Sequence, residues 1–176
     1  MKIFRVEFDA RSMSTGDGIA KFPANFELMP PDGEPVKNWT SPSVIVPTGN
    51  NWDFLPSSIG ARVCSPRLTE LLSEYLTVTD YVEWLPIETE GTKRGENWRV
   101  LHFSKPMAVL DRSRSKFLST GALIKPAFDP KLVENLAFFS IPGSYKFEFF
   151  VNEPLKKEAE RRKMQGVFCK QVDELR

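Results

Sequence analysis

One histidine and two cysteines are all this chain offers to the commonest ligand and nucleophile chemistries. His102, Cys64 and Cys169 lie too far apart for any zinc-site spacing, and no acidic run has the spacing of a calcium loop. No Gly-x-Ser-x-Gly elbow or papain-type cysteine motif supplies a nucleophile. Glycine-rich phosphate loops are missing as well, because Ser14-Thr15-Gly16-Asp17-Gly18 lacks the strand-to-helix context those loops require. No metal or cofactor is expected, and nothing marks the chain as an enzyme, although its 23 acidic residues allow many carboxylate pairs. No apolar run approaches the ~20 residues of a membrane span. The opening MKIFRVEFDAR alternates apolar and charged residues without a hydrophobic h-region, so it does not read as a secretory signal. A cytoplasmic protein with free cysteines is therefore expected, and the sequon Asn38-Trp39-Thr40 carries no meaning there. A net charge of +1 argues against a general polyanion binder.

What the chain does hold is material for a core. It is 41% apolar, with fourteen Phe and four Trp in 176 residues, and each buried ring removes roughly 150–250 Å² from water. One domain spanning 1–176 is expected. Charge is uneven along it: residues 1–88 carry 7 basic and 12 acidic side chains, residues 89–176 carry 17 and 11. Such polarity suits an oriented protein contact, or is chance placement on a solvated surface.

Two strand–cap–helix–strand units organise the chain. In the first, Val63-Cys64 leads to Ser65 as N-cap and Pro66 at the first helical position. Leu68, Leu71, Leu72, Tyr75 and Leu76 then share one helical face, and 82–86 returns as a strand. The second reads as a strand over 145–151, Asn152 as cap, a charged helix with Glu153–Lys157 and Glu158–Arg162 pairs, Gly166 as a left-handed stop, and a strand over 167–169. Further strands are expected at 2–8, 22–28, 44–46, 98–103, 107–110 and 137–141. A short helix is expected over 131–136 behind Asp129-Pro130, and a mobile polar hairpin connection over 88–96. Residues 112–118 read as irregular or briefly helical. The sum is α+β: a mixed or antiparallel sheet, two principal helices and long loops.

Three features admit two readings. His102 is a general base or, more simply, a packed strand residue. The five Lys/Arg of 156–163 form an electrostatic contact or a solvated face interleaved with acids. Trp39 and Trp52 are interface anchors or core residues beneath long loops.

Several segments, in order, resemble immunity protein family 11 of bacterial polymorphic toxin systems, formerly a domain of unknown function. They are Trp52-Asp53-Phe54-Leu55, Val63-Cys64-Ser65-Pro66-Arg67-Leu68-Thr69-Glu70-Leu71-Leu72, Val82-Glu83-Trp84-Leu85-Pro86-Ile87, Val100-Leu101-His102-Phe103, Val109-Leu110-Asp111-Arg112-Ser113-Arg114-Ser115, and Phe149-Phe150-Val151-Asn152-Glu153-Pro154-Leu155 with Gly166-Val167-Phe168. Together they cover about residues 50–170. The chain departs from the family pattern at Asn152, where Ser is usual, and over its first forty residues. The resemblance implies a non-enzymatic inhibitor that occludes one cognate toxin domain, with no catalytic residues to carry over. Specificity is then expected on variable loops, with Asp17, Asp32, Glu34, Trp52 and Asp53 as partner-binding residues, the acids opposing a cationic toxin surface. The alternatives are a small hydrolase or transferase with a site near His102, or a scaffold or adaptor subunit of a secretion system.

Overall fold

The structure, a computed structural model, describes residues 2–8, 19–26, 32–47, 51–77, 81–90, 96–105, 107–141 and 148–172. Its elements in chain order are β1 (Ile3–Phe8), β2 (Ser43–Ile45), β3 (Phe54–Pro56), β4 (Arg62–Cys64), α1 (Pro66–Glu74), β5 (Val82–Pro86), β6 (Glu88–Glu90), β7 (Arg99–Phe103), β8 (Lys116–Phe117), β9 (Leu123–Lys125), α2 (Pro130–Val133), β10 (Phe138–Phe139), β11 (Phe149–Asn152), α3 (Glu153–Arg161) and β12 (Val167–Gln171). The fold is α+β, and its main sheet is divided into two four-stranded sheets, β10-β11-β1-β12 and β3-β4-β7-β5.

Each sheet is built around a split unit. β4 and β5, joined through α1, both pair antiparallel with β7, so they run the same way with β7 between them. β11 and β12, joined through α3, flank β1 in the same manner. The middle strand in each case comes from elsewhere in the chain.

Alternation along the strands puts one face of both sheets into a shared core. Phe4, Val6, Phe138, Phe149 and Val151 meet Phe54, Cys64, Leu101 and Phe103 there, together with Leu68, Leu71 and Leu72 of α1 and Leu155 and Ala159 of α3. The opposite parity faces outward on each side. Leu55, Val63, Leu85 and Val100 pack with Val44, Val46, Phe22 and Trp52, while Ile3, Phe139 and Phe150 pack with Val133, Leu136 and Val109. Sheets covered on both faces need consecutive apolar residues, which is why Phe138-Phe139 and Phe149-Phe150-Val151 are written as runs.

Both helices begin as the sequence predicts. Ser65 Oγ accepts from Leu68 N at 3.2 Å, Asn152 Oδ1 accepts from Leu155 N at 3.0 Å, and Pro lies in the first turn of each. The stop of α3 differs. Lys163, at φ 52, takes the left-handed position, with Met164 N donating to Ala159 O and Lys163 N to Glu160 O. Gly166, at φ 75, serves a close approach instead: a Cβ there would lie 2.6 Å from Phe54 O and 3.0 Å from Trp52 Cε3.

Other segments depart from expectation. Residues 22–26 form no strand, because Pro23 lacks an N–H, Phe26 N turns back to Pro23 O, and Phe22 and Phe26 pack on each other at 5.4 Å; 27–28 lie outside the described residues. Residues 107–110 contribute only a bridge, Leu110 to Phe128. Residues 88–90 are no loop: β6 lies parallel to β2, with Thr89 opposite the buried Val44 and Glu88 N donating to Pro42 O at 2.9 Å. Residues 112–118 hold a turn and then β8, paired with β9. The short helix over 131–136 is the single turn α2, capped by Asp129. Residues 91–95 of the polar connection and 145–147 of the strand expected over 145–151 lie outside the described residues. Cys64 is buried and Cys169 half-buried, both as free thiols. Burial pushes both thiols up, Cys169 to about 11.

Candidate functional site

The densest polar chemistry in the described residues gathers where β4 and β7 meet residues 32–34. Arg62 on β4 and His102 on β7 have opposite parity, since Arg62 is the register partner of Leu101. Asp32 reaches both. Arg62 Nη1 donates to Asp32 Oδ1 at 3.0 Å and Nη2 to Oδ2 at 2.6 Å, a two-pronged pair with side chains only 4% and 9% exposed. Its Nε and Nη2 also donate to Glu148 O, at 3.1 and 2.8 Å, and its guanidinium lies 5.4 Å from the centre of the Phe103 ring. Ser140 Oγ donates a short hydrogen bond to Asp32 Oδ2.

Burial pushes the Asp32 carboxyl up. The Arg62 charge, hydrogen bonds from Arg62 and Ser140, and the nearby His102 outweigh that and hold it below its ordinary value. Glu148, at the other side of Arg62, goes the opposite way. Burial raises its carboxyl, and Arg5 Nε, 3.4 Å from Oε2, makes an ion pair without a hydrogen bond to that oxygen.

Ser140, His102 and Asp32 are the residue types of a hydrolytic triad, but their connectivity is wrong for one. Ser140 bonds Asp32 rather than His102. His102 Nε2 lies 2.6 Å from Glu34 O, and a carbonyl only accepts, so Nε2 carries a proton; Nδ1 faces Asp32 Oδ1 at 3.6 Å. The imidazole, 2% exposed, has Asp32 rather than a serine facing Nδ1 among the described residues. What the cluster does is fasten residues 32–36 to the sheet. Gly33 N donates to Phe103 O at 2.8 Å, and Val36 N to Glu83 Oε2 at 3.0 Å. Trp39 Nε1 and Ser41 Oγ then donate to Pro86 O, so this segment lines β5.

The residues expected to bind a partner are not brought together as a surface. Asp17 lies outside the described residues. Asp32 and Asp53 are turned inward, Glu34 is exposed, and Trp52 is 5% exposed with its ring 5.3 Å from Phe8. Asp53, 2% exposed, joins the two split units. Its carboxylate accepts from Ser65 Oγ at 2.6 Å, Arg67 Nη1 at 3.2 Å and Gln165 N at 2.9 Å. Arg67 continues to Arg162 O, and Arg162 pairs with Glu74 and Glu158. The cations of α3 are likewise paired along the helix: Lys156 with Glu160, Lys157 with Glu153 and Arg161 with Glu158.

Arg62, Ser140 and the carbonyl of Glu148 escaped sequence reasoning. One signal was present: Arg62 opens the apolar strand β4 and His102 interrupts the apolar run of β7, and a buried cation requires an anion. Nothing in the sequence says which of the acids answers. Among the described residues no group of His, Cys, Asp and Glu could hold a metal ion, and no helix is long and apolar enough to cross a membrane. Comparison with protein-family models and with curated proteins returned no match.

Proposed function

We propose that this chain is a non-enzymatic immunity protein that acts in the cytoplasm by binding one cognate toxin domain and occluding it stoichiometrically. The observation that supports this reading is where the resembling segments fall. They fall on all four strands of one sheet, β3, β4, β5 and β7, and on α1, β11, the start of α3 and the start of β12, while 109–115 leads into β8. A likeness spread over separate stretches of sequence thus converges on one connected framework, with the Asp53 contacts at its seam. In that framework Asp53, Ser65, His102 and Asn152 of the motif are engaged in internal contacts, which leaves recognition to side chains on the outer surface.

The acidic contact surface is then carried by exposed glutamates, Glu34, Glu88 and Glu90 among them, rather than by Asp32 and Asp53. These would face a cationic patch of the toxin and help to orient it. The enzyme reading draws no support from His102, whose two ring nitrogens face Glu34 O and Asp32. Co-expression with the toxin domain encoded by the adjacent gene should restore growth, and Glu34→Lys/Glu88→Lys/Glu90→Lys should weaken rescue and reduce the salt dependence of binding. Growth inhibition unchanged by the wild-type chain would contradict the proposal.

A further inference from the structure

β8 and β9 pair with each other and with no other strand among the described residues. Their base is tied down firmly. Asp111 N donates to Ala127 O at 2.8 Å and Asp129 N to Val109 O at 3.0 Å. Ser115 Oγ donates to Asp111 O at 2.7 Å and accepts from Ala127 N at 2.9 Å. The Asp111 carboxylate accepts from Ser113 N, Ser113 Oγ, Arg114 N and Arg114 Nε, and these bonds hold its carboxyl at about 2.

On this base the ribbon divides its side chains. Leu123 packs on the third core, and Phe117 lies half-buried beneath the Arg112 guanidinium at 5.1 Å. Leu118 and Ile124 are instead 53% and 54% exposed. A register shift leaves Ile124 without a cross-strand partner, the device by which a bulge re-aims a side chain. Six large apolar side chains are exposed among the described residues, and three of them, with Leu132 at 51%, fall between 118 and 132. Scattered singly they would need no explanation; two on one short braced ribbon, with Leu132 on α2 close by in sequence, do. The surrounding charge is positive. Arg112, Lys116, Lys125 and Lys131 outnumber the exposed Glu134, while Asp111 and Asp129 are already engaged in the turn and the α2 cap.

We infer that the β8–β9 ribbon is a docking finger for an apolar cleft rimmed by carboxylates on the toxin domain, with Leu118 and Ile124 as anchors and Lys116 and Lys125 as the cationic rim. The inference rests on the immunity reading and names one of its contacts. A rigid base limits the ordering cost of binding, and the uncompensated lysines select an acidic rim. Nucleic acid fits less well, because the one aromatic of the ribbon is covered by Arg112 and offers no stacking face. A bilayer fits less well too, since the exposed tips are aliphatic and lack the aromatic residues that anchor at a membrane interface.

The test is titration of the toxin domain with the full chain and two variants. Leu118→Asp/Ile124→Asp should bind about 100-fold more weakly with an unchanged melting temperature; Leu118→Gln/Ile124→Gln, gentler to the fold, should show a smaller loss in the same direction. Lys116→Glu/Lys125→Glu should slow association about tenfold at low salt and flatten its salt dependence. Wild-type affinity in the folded Leu/Ile variants overturns the finger and leaves the immunity reading standing, whereas a wild-type chain that binds no toxin overturns both. Phosphatidylserine vesicles or single-stranded RNA bound by the wild type and lost by these variants, with toxin affinity retained, would reassign the ribbon and overturn the proposal.

Discussion

Arg62 and Asp32, thirty residues apart, form a two-pronged ion pair at 3.0 and 2.6 Å inside the protein. Such a pair adds little net stability over well-packed apolar residues, but removing one partner strands the other charge, at about 3–5 kcal/mol. Asp32→Asn should therefore destabilise the fold by roughly that amount in urea denaturation. Because Asp32 also holds Gly33 and Glu34 against β7, amide exchange in residues 33–41 should accelerate more than in α1.

The pair sets a pH dependence of definite sign. The folded Asp32 carboxyl titrates below its ordinary value of 3.8, so the unfolded chain binds more protons in that range and stability rises with pH. Its contribution is complete above 3.8 and is lost as the pH falls through the lower folded value. Half-buried Asp111 and Glu158, each held at about 2 by hydrogen bonds and arginine, act in the same direction. Glu148, raised by burial, acts oppositely, and what it contributes is lost as pH rises past its folded value. The stability gap between wild type and Asp32→Asn should shrink as the pH is lowered below 3.8, as measured by denaturation between pH 3 and 6.

Two glycines separate strain from crowding. Gly121, at φ 83, has nothing within 4 Å of an added Cβ, so Gly121→Ala should cost only the left-handed penalty of roughly 1–2 kcal/mol. Gly166, at φ 75, adds a 2.6 Å collision with the backbone oxygen of Phe54. Gly166→Ala should cost clearly more than Gly121→Ala in the same thermal melt.

The two caps should likewise differ. Asn152→Ala removes a cap worth about 1 kcal/mol and a long hydrogen bond, 3.3 Å, from Asn152 Nδ2 to Leu136 O. Ser65→Ala removes a cap and also takes a hydrogen-bond donor from the buried Asp53 carboxylate, adding roughly another 1–3 kcal/mol. Equal losses would mean that Asp53 does not depend on Ser65.

The helices and their caps were legible because Ser65-Pro66 and Asn152-Glu153-Pro154 act locally, and local chemistry shows in sequence. The inserted middle strands were not, since nothing near β4 or β11 says that β7 or β1 will lie beside it. Gly166 was misread for the same reason: its requirement comes from Phe54 and Trp52, over a hundred residues away. Asp32 and Asp53 looked like surface acids in turn-rich segments, and only distant Arg62, Ser140 and Gln165 turn them inward. The ribbon at 116–125 gave no strand signal, because its pairing is short and bulged.

The most direct test of the immunity reading is stoichiometric: titrate a fixed amount of the toxin domain with the purified chain and follow the toxin's residual activity. Occlusion predicts a linear fall to zero at one equivalent, matched by a one-to-one complex in sedimentation. Activity that persists beyond several equivalents, or that vanishes at a small fraction of one, would contradict it.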